Sequence, residues 1–445
     1  MNLETLNYPL YFNLLFFGML AIGMLFGFLR GLRKSLYHFI VKLIFYVIFF
    51  ATLGIVVRFF WTVEFNFISS LLSMSGVAGL GGADSFQDAL PIILETMLGD
   101  AINADLSNEN FIAFAEGVGL FVLKILYAIV YFTIIQILYR FLTWILYMVF
   151  FKQSKDDVEV HGKKRVPGMA AGLLSGALAV YATLVIFGGV MDISSNTLAL
   201  LDATDENTTA TESRFTDEEY SVMSLSSSPV PMQTIEPGSE EDQAITALRE
   251  LSEGYNNNII VRGLTAFKLT DDETERETKF NLYLFDRIFS IDYETENTST
   301  SVALRQELAV FTDAASIFLG SEFSESQDLS DIEAADVENM FDEIANSDLL
   351  VSLVPIALDM GSEHFEVDLE VSREELYDID YRSELQTLGS IASSAFSLLN
   401  TSGLLEDDPD YDTITLDGAT TKSIFDDLSD SELATLGAYV AMEPM

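Results

Sequence analysis

Four long apolar runs fill most of Met1–Met191, and they constrain this chain more than any motif in it. A helix rises about 1.5 Å per residue, so crossing a hydrocarbon core of roughly 30 Å takes about 20 apolar residues. Pro9–Phe28, Leu36–Trp61, Gly117–Met148 and Pro167–Met191 each reach that length. In hydrocarbon every backbone N–H and C=O has to be paired inside the segment, so the four runs are expected to be helices packed as a transmembrane bundle. Glu4 is the one charge before the first run, and Arg30 follows it where a signal peptide would carry a small-residue cleavage site. The first run is therefore expected to be a retained anchor.

Charge is partitioned as sharply as hydropathy. The chain carries 23 Lys+Arg against 68 Asp+Glu, a formal net charge of −45, yet 49% of its residues are hydrophobic. Met1–Met191 holds 12 basic and 12 acidic residues; Asp192–Met445, with 11 and 56, holds the whole imbalance. A field of that sign repels phosphate backbones and excludes a nucleic-acid partner. The turn between the first two runs carries Arg30, Arg33 and Lys34, and the turn between the last two carries Lys152, Lys155, Lys163, Lys164 and Arg165. The loop 62–110 has no Lys or Arg and seven acidic residues. By the positive-inside rule both basic turns are expected in the cytoplasm. The loop, both termini and the acidic C-terminal half then lie outside the cell (plasma) membrane.

Within the runs, ionisable and polar side chains are the candidates for function, because they are costly there. Glu116, Lys124, Gln136 and Arg140 lie in or beside the third run, and Lys42 in the second. The apolar stretch Phe111–Phe151 would measure about 60 Å as one helix. It either tilts and reaches into the cytoplasm or lays its first turns on the outer surface. Lys124 and Arg140 share the sequence separation of Lys42 and Arg58. That separation is about 24 Å along a helix, which suits snorkelling to opposite interfaces. The competing reading is a polar path lined by Lys42, Lys124, Gln136 and Arg140. Gly23, Gly27 and Gly31 recur at spacing four, as do Gly168, Gly172 and Gly176. Each trio shares a helix face and permits close backbone approach. Docking of the first span on the fourth is the simplest use, and homo-oligomerisation through one of these faces is the alternative.

Gly27-Phe-Leu-Arg-Gly-Leu-Arg33 after the first span, a basic turn before the fourth, and Val166-Pro-Gly-Met-Ala-Ala-Gly-Leu-Leu-Ser-Gly176 opening it resemble the colicin V production (CvpA-type) family. That resemblance covers about residues 10–191. It implies a small bacterial inner-membrane protein linked to peptide-toxin export and envelope integrity, and no catalytic residues. The long loop 62–110 and the appended exterior half depart from the family pattern.

Outside the membrane, residues 192–243 are rich in Ser, Thr, Asp and Glu and read as an acidic tether, too polar to bury a core. Residues 244–445 read as an acidic, mostly helical domain, α or α+β, with Ile259–Leu269 expected as a strand and Phe280–Ile291 open between strand and helix. Inside it the sequence repeats. Arg305, Glu307, Leu308, Ala315 and Ser316 recur at one constant offset as Arg382, Glu384, Leu385, Ala392 and Ser393. Phe341, Asp342, Ser347 and Leu349 recur at a second, slightly larger offset as Phe425, Asp426, Ser431 and Leu433. A two-fold tandem repeat over about 302–360 and 379–440 accounts for both, with the extra residues in the acidic turn Glu406–Asp412.

Other chemistries find little support. Asp408, Asp410 and Asp412 alternate as in a calcium loop, but Thr413 stands where an EF-hand turn needs glycine and Ala419 where it needs glutamate. A solvated acidic loop is the expected role. Glu374-Glu375 is an adjacency expected in so acidic a segment, not an acid–base pair. The chain has no Cys and only three His (His38, His161, His364), which excludes thiolate chemistry and leaves little for general-base work. No cofactor motif is present. The expectation is a mainly α, multi-pass, non-enzymatic envelope scaffold or export accessory without cofactors. Its expected partners are the bilayer and a membrane or exterior protein, a basic one by charge. The alternative is a channel or transporter subunit with its path along spans two and three.

Overall fold

In the computed structural model, residues 8–63, 83–98, 108–150, 164–214, 240–270, 277–295, 299–318, 332–365, 371–402, 404 and 417–436 are described, and they are mostly helical. Four of the described helices are long and apolar enough to cross a membrane: α1 (Tyr8–Arg30), α2 (Leu32–Thr62), α4 (Glu109–Phe150) and α5 (Arg165–Arg214). Between α2 and α4 lies α3 (Phe86–Leu98). Contacts divide the chain into two compact units. Unit 1 is 1–101, 114–194 and 246–293; unit 2 is 102–113, 195–245 and 294–445.

Unit 1 is the bundle of long apolar helices with a cap formed by later chain. α1 and α2 are separated by Gly31 alone, whose φ of 79° and ψ of 169° suit only a residue without a Cβ. The glycine faces meet there. A Cβ on Gly23 would lie 2.6 Å from the Gly172 carbonyl, and one on Gly27 would lie 2.3 Å from the Gly168 carbonyl. α1 and α5 thus touch backbone to backbone within one chain. α2 and α4 pack through aromatics: Phe60 stacks on Tyr127 with centroids 4.9 Å apart, and Phe49 meets Phe132 edge-on at 5.4 Å. The outer faces are apolar, with Ile55 70% and Val149 67% exposed, as surfaces turned to lipid require.

The cap comprises α6 (Glu240–Asn256), α7 (Ile259–Leu264), the antiparallel pair β1 (Lys268–Thr270) and β2 (Glu277–Lys279), α8 (Phe280–Ile288) and the start of β3 (Ile291–Glu294). Tyr255, Ile260 and Val261 share a core with Phe16 of α1 and Val180, Leu184 and Met191 of α5. Asn258, 1% exposed, donates to Asn13 Oδ1 at 2.9 Å, and Asn281 donates to the Leu184 carbonyl at 3.3 Å. Two sequence expectations change here, and one that was open resolves. Ile259–Leu269 is not one strand: Asn258 caps a helix by accepting from the Ile260 and Val261 N–H groups, and only Lys268–Thr270 is extended. Phe280–Ile291 resolves into α8 and the start of β3. Residues 246–293 pack with the spans instead of with the rest of 244–445, because their apolar side chains find partners on α1 and α5.

Of the expected tether 192–243, residues 215–239 lie outside the described residues; before them α5 continues as helix through Arg214, and after them α6 begins at Glu240. Each added residue closes one more backbone hydrogen bond on an existing helix, and Leu198, 5% exposed, gives the extension a buried contact.

Unit 2 contains β4 (Ser299–Val302), α9 (Leu304–Phe318), α10 (Ala334–Ile344), α11 (Asp348–Phe365), α12 (Arg373–Asp378), α13 (Tyr381–Thr401) and α14 (Gly418–Asp430). α9 packs on α10, α10 on α13, and α13 on α14. α10 and α11 bend by 85° at a short break. Ser347, opening α11, donates to Glu307 Oε2 at 2.5 Å; Ser431, opening the helical turn 432–436, donates to Glu384 Oε2 at 2.7 Å. In both places a glutamate from an earlier helix receives the serine that caps a later one. A second network centres on Asp359, 6% exposed, which accepts from Asn108 at 2.9 Å and from Arg373 at 2.6 Å. Asn110 donates to the Tyr377 hydroxyl at 2.7 Å beside it. Burial pushes that hydroxyl up to about 12.

Candidate functional site

A cleft of about 760 Å³ opens among the four spans at the end that carries the basic turns. It is built by helical spacing. Lys34, His38, Lys42 and Tyr46 recur every four residues on α2 and so share one face. Gln136, Arg140, Thr143 and Tyr147 do the same on α4 at spacings of four and three. Arg30 enters from the end of α1, and Ser175 from α5 beside the crossing glycines. The basic ends of the helices lie at Leu32, Phe150 and Arg165, and Lys42, Arg140 and Ser175 stand equally far in from them. That depth is about 15 Å, roughly half of a hydrocarbon core.

The polar groups are held in place by the bundle itself. Lys42 Nζ donates to the Ser175 carbonyl at 3.1 Å, and Gln136 Nε2 to the Tyr46 hydroxyl at 2.7 Å. The Tyr139 hydroxyl donates to the His38 carbonyl at 3.1 Å and lies 3.2 Å from His38 Nδ1. Lys34 Nζ sits 3.9 Å from the centre of the Tyr147 ring, and the Arg30 guanidinium 5.0 Å from that of Phe26. Four Lys and Arg side chains and one histidine thus line the cleft, and among the described residues no Asp or Glu does. Such a site attracts anions.

The sequence candidates are divided by the structure. Lys42, Gln136 and Arg140 line this cleft. Lys124 does not: its Nζ donates to the Ser290 carbonyl at 2.9 Å and to Asp292 Oδ2 at 2.7 Å in the cap. Half-buried Glu116 lies farther along α4, near Gly117, whose added Cβ would meet the Asp292 carbonyl at 2.9 Å. The stretch of α4 from Phe114 to Lys124 is therefore covered by cap residues. Gly23, Gly27, Gly31, Gly168, Gly172 and Gly176 come together at the α1–α5 crossing, as described above. Asp408, Asp410 and Asp412 lie outside the described residues, and among the described residues no group of His, Cys, Asp and Glu has the arrangement to hold a metal. Glu375 forms a capping box with Ser372, which accounts for one member of the Glu374-Glu375 pair. Sequence reasoning missed Arg30, Lys34, His38, Tyr46, Tyr139 and Tyr147. The four-residue recurrence Lys34, His38, Lys42, Tyr46 was the signal available for the three on α2. Comparison with family models, curated proteins and solved structures finds no match to this chain.

Proposed function

We propose that this is a multi-pass plasma-membrane protein of the colicin V production type, acting as a non-enzymatic envelope scaffold or export accessory. The basic turns face the cytoplasm, and the acidic helical unit is displayed outside. The observation that carries this reading is the seating of residues 246–293 on the spans, through the Lys124 bonds to Ser290 and Asp292, the Asn258–Asn13 bond and the Tyr255–Phe16 core. A scaffold needs its displayed chain fixed to its anchor, and a buried lysine bonded to the cap provides that. The equivalent Glu307–Ser347 and Glu384–Ser431 bonds support a duplicated unit in the displayed part. Its acidic surface favours a basic partner. Crosslinking mass spectrometry and mass photometry of the full chain in mild detergent test the reading. A discrete complex with an exterior protein, crosslinked through residues 294–445, is expected. Absence of any partner, together with solute flux in proteoliposomes, would overturn it.

A second reading, a channel or transporter subunit, is favoured by the cleft that gathers Lys42, Gln136 and Arg140. On that reading neutralising Lys42 and Arg140 changes flux, whereas Lys124→Gln acts only through the cap. Flux unaffected by the first pair in well-folded protein would remove it.

A further inference from the structure

We propose that the cleft binds the phosphate of an anionic phospholipid, drawn about 15 Å below the membrane surface, with the acyl chains leaving sideways between α1 and α4. Three observations carry this. The first is charge. Arg30, Lys34, Lys42 and Arg140 line one cleft without a carboxylate among its described walls. Lys42 is partly buried between the helices, and the Ser175 carbonyl it donates to is not a counter-charge, so an anion beside it is favoured.

The second is the mouth. Ile22, Phe26 and Trp144 line the cleft and are also 55%, 47% and 57% exposed, so its wall continues onto the lipid-facing surface. A free inorganic anion gains nothing from such a rim, whereas a chain-bearing phosphate covers it. The third is rigidity. The Lys42–Ser175, Gln136–Tyr46 and Tyr139–His38 bonds fix the cleft's walls before any ligand enters, so little ordering cost remains on binding.

The test uses full-length protein in mild detergent and native mass spectrometry, with dioleoylphosphatidylglycerol, dioleoylphosphatidylcholine and inorganic phosphate as probes. Phosphatidylglycerol is expected to be retained, phosphatidylcholine to wash off, and inorganic phosphate neither to bind nor to displace the lipid. Lys42→Gln combined with Arg140→Gln should weaken phosphatidylglycerol binding by roughly 30-fold, taking about 1 kcal/mol per cation. Arg140→Gln alone, at an exposed position, should weaken it by roughly 5-fold and decides the matter if the double variant unfolds. Arg33→Gln removes an exposed charge that does not line the cleft and should leave binding unchanged. Equal retention of phosphatidylcholine would mean apolar lipid contact only and overturn the proposal. Displacement by inorganic phosphate would assign the site to a soluble anion instead. An Arg33→Gln loss as large as that of Arg140→Gln would make the effect one of net charge, and would equally end the idea.

Discussion

Gly172→Ala at the α1–α5 crossing should separate two helices that now touch through backbone atoms. The added Cβ would lie 2.3 Å from the Gly23 carbonyl oxygen, 2.6 Å from Gly27 Cα and 2.9 Å from Gly27 N. None of these is the end of a flexible side chain, so relief comes only by moving a helix about 1 Å. A gap of that size forfeits a quarter to a half of each atom pair's attraction of ~0.15 kcal/mol. On the order of 30 pairs then lose ~1–2 kcal/mol, inside the roughly 1–3 kcal/mol usual for overpacking. Gly54→Ala is the control, because its Cβ would meet nothing within 4 Å. It should be neutral or gain up to about 1 kcal/mol from helix propensity. Denaturation in mixed micelles, followed by far-UV circular dichroism with both variants side by side, reads the difference. Equal stability of the two variants would refute the crossing. The glycine faces would then belong to a contact between copies.

Gly31→Ala places a side chain at φ 79°, ψ 169°, and should cost about 1–3 kcal/mol in the same titration. Gly31→Asn should give no rescue, because that ψ lies outside the left-handed helical region asparagine tolerates. Asp359→Ala leaves Asn108 and Arg373 without their shared acceptor. It should cost about 2–3 kcal/mol, less than a fully buried pair because Arg373 is partly exposed, and hydrogen exchange across residues 108–113 and 373–378 should rise. Burial holds the Glu307 carboxyl above the ordinary glutamate range, against the Ser347 hydroxyl and the Asp348 and Leu349 N–H groups that pull it down. The native state therefore keeps this proton at pH values where the unfolded chain has released it. Relative to Glu307→Gln, the native protein should gain stability as the pH falls from neutral toward the ordinary glutamate value of about 4.3. Melting curves of the two proteins whose difference stays constant across that window would refute the assignment.

Much of the span half was legible because its physics is local. An apolar run either reaches the length of the hydrocarbon core or does not, and a glycine trio at spacing four shares a face whatever lies opposite. The cleft was half legible. Lys42, Gln136 and Arg140 stood out as polar groups in apolar runs, but their neighbours Lys34, His38 and Tyr139 sat near a basic turn or passed as ordinary span residues and drew less notice. Lys124 was grouped with them by type and hydropathy. Its actual partners, Ser290 and Asp292, stand far off in the sequence, and no local rule points to them.

The expected repeat shows the same division within the acidic half. Phe341 and Phe425 match in the duplicated pattern, yet Phe341 packs against Gly389 of α13 while Phe425 is 67% exposed on α14. By itself the sequence determined four helices long enough to span a membrane, the faces on which small and charged residues fall, and the separation of charge between the halves. These follow from rise per residue, helical period and composition. Only the tertiary structure decided that residues 246–293 join the spans, that α5 runs on past the membrane length, and that the α2 and α4 cations share one cleft. Each of these depends on which distant surfaces meet, and burial rewards any apolar partner of the right shape, wherever it lies in the chain.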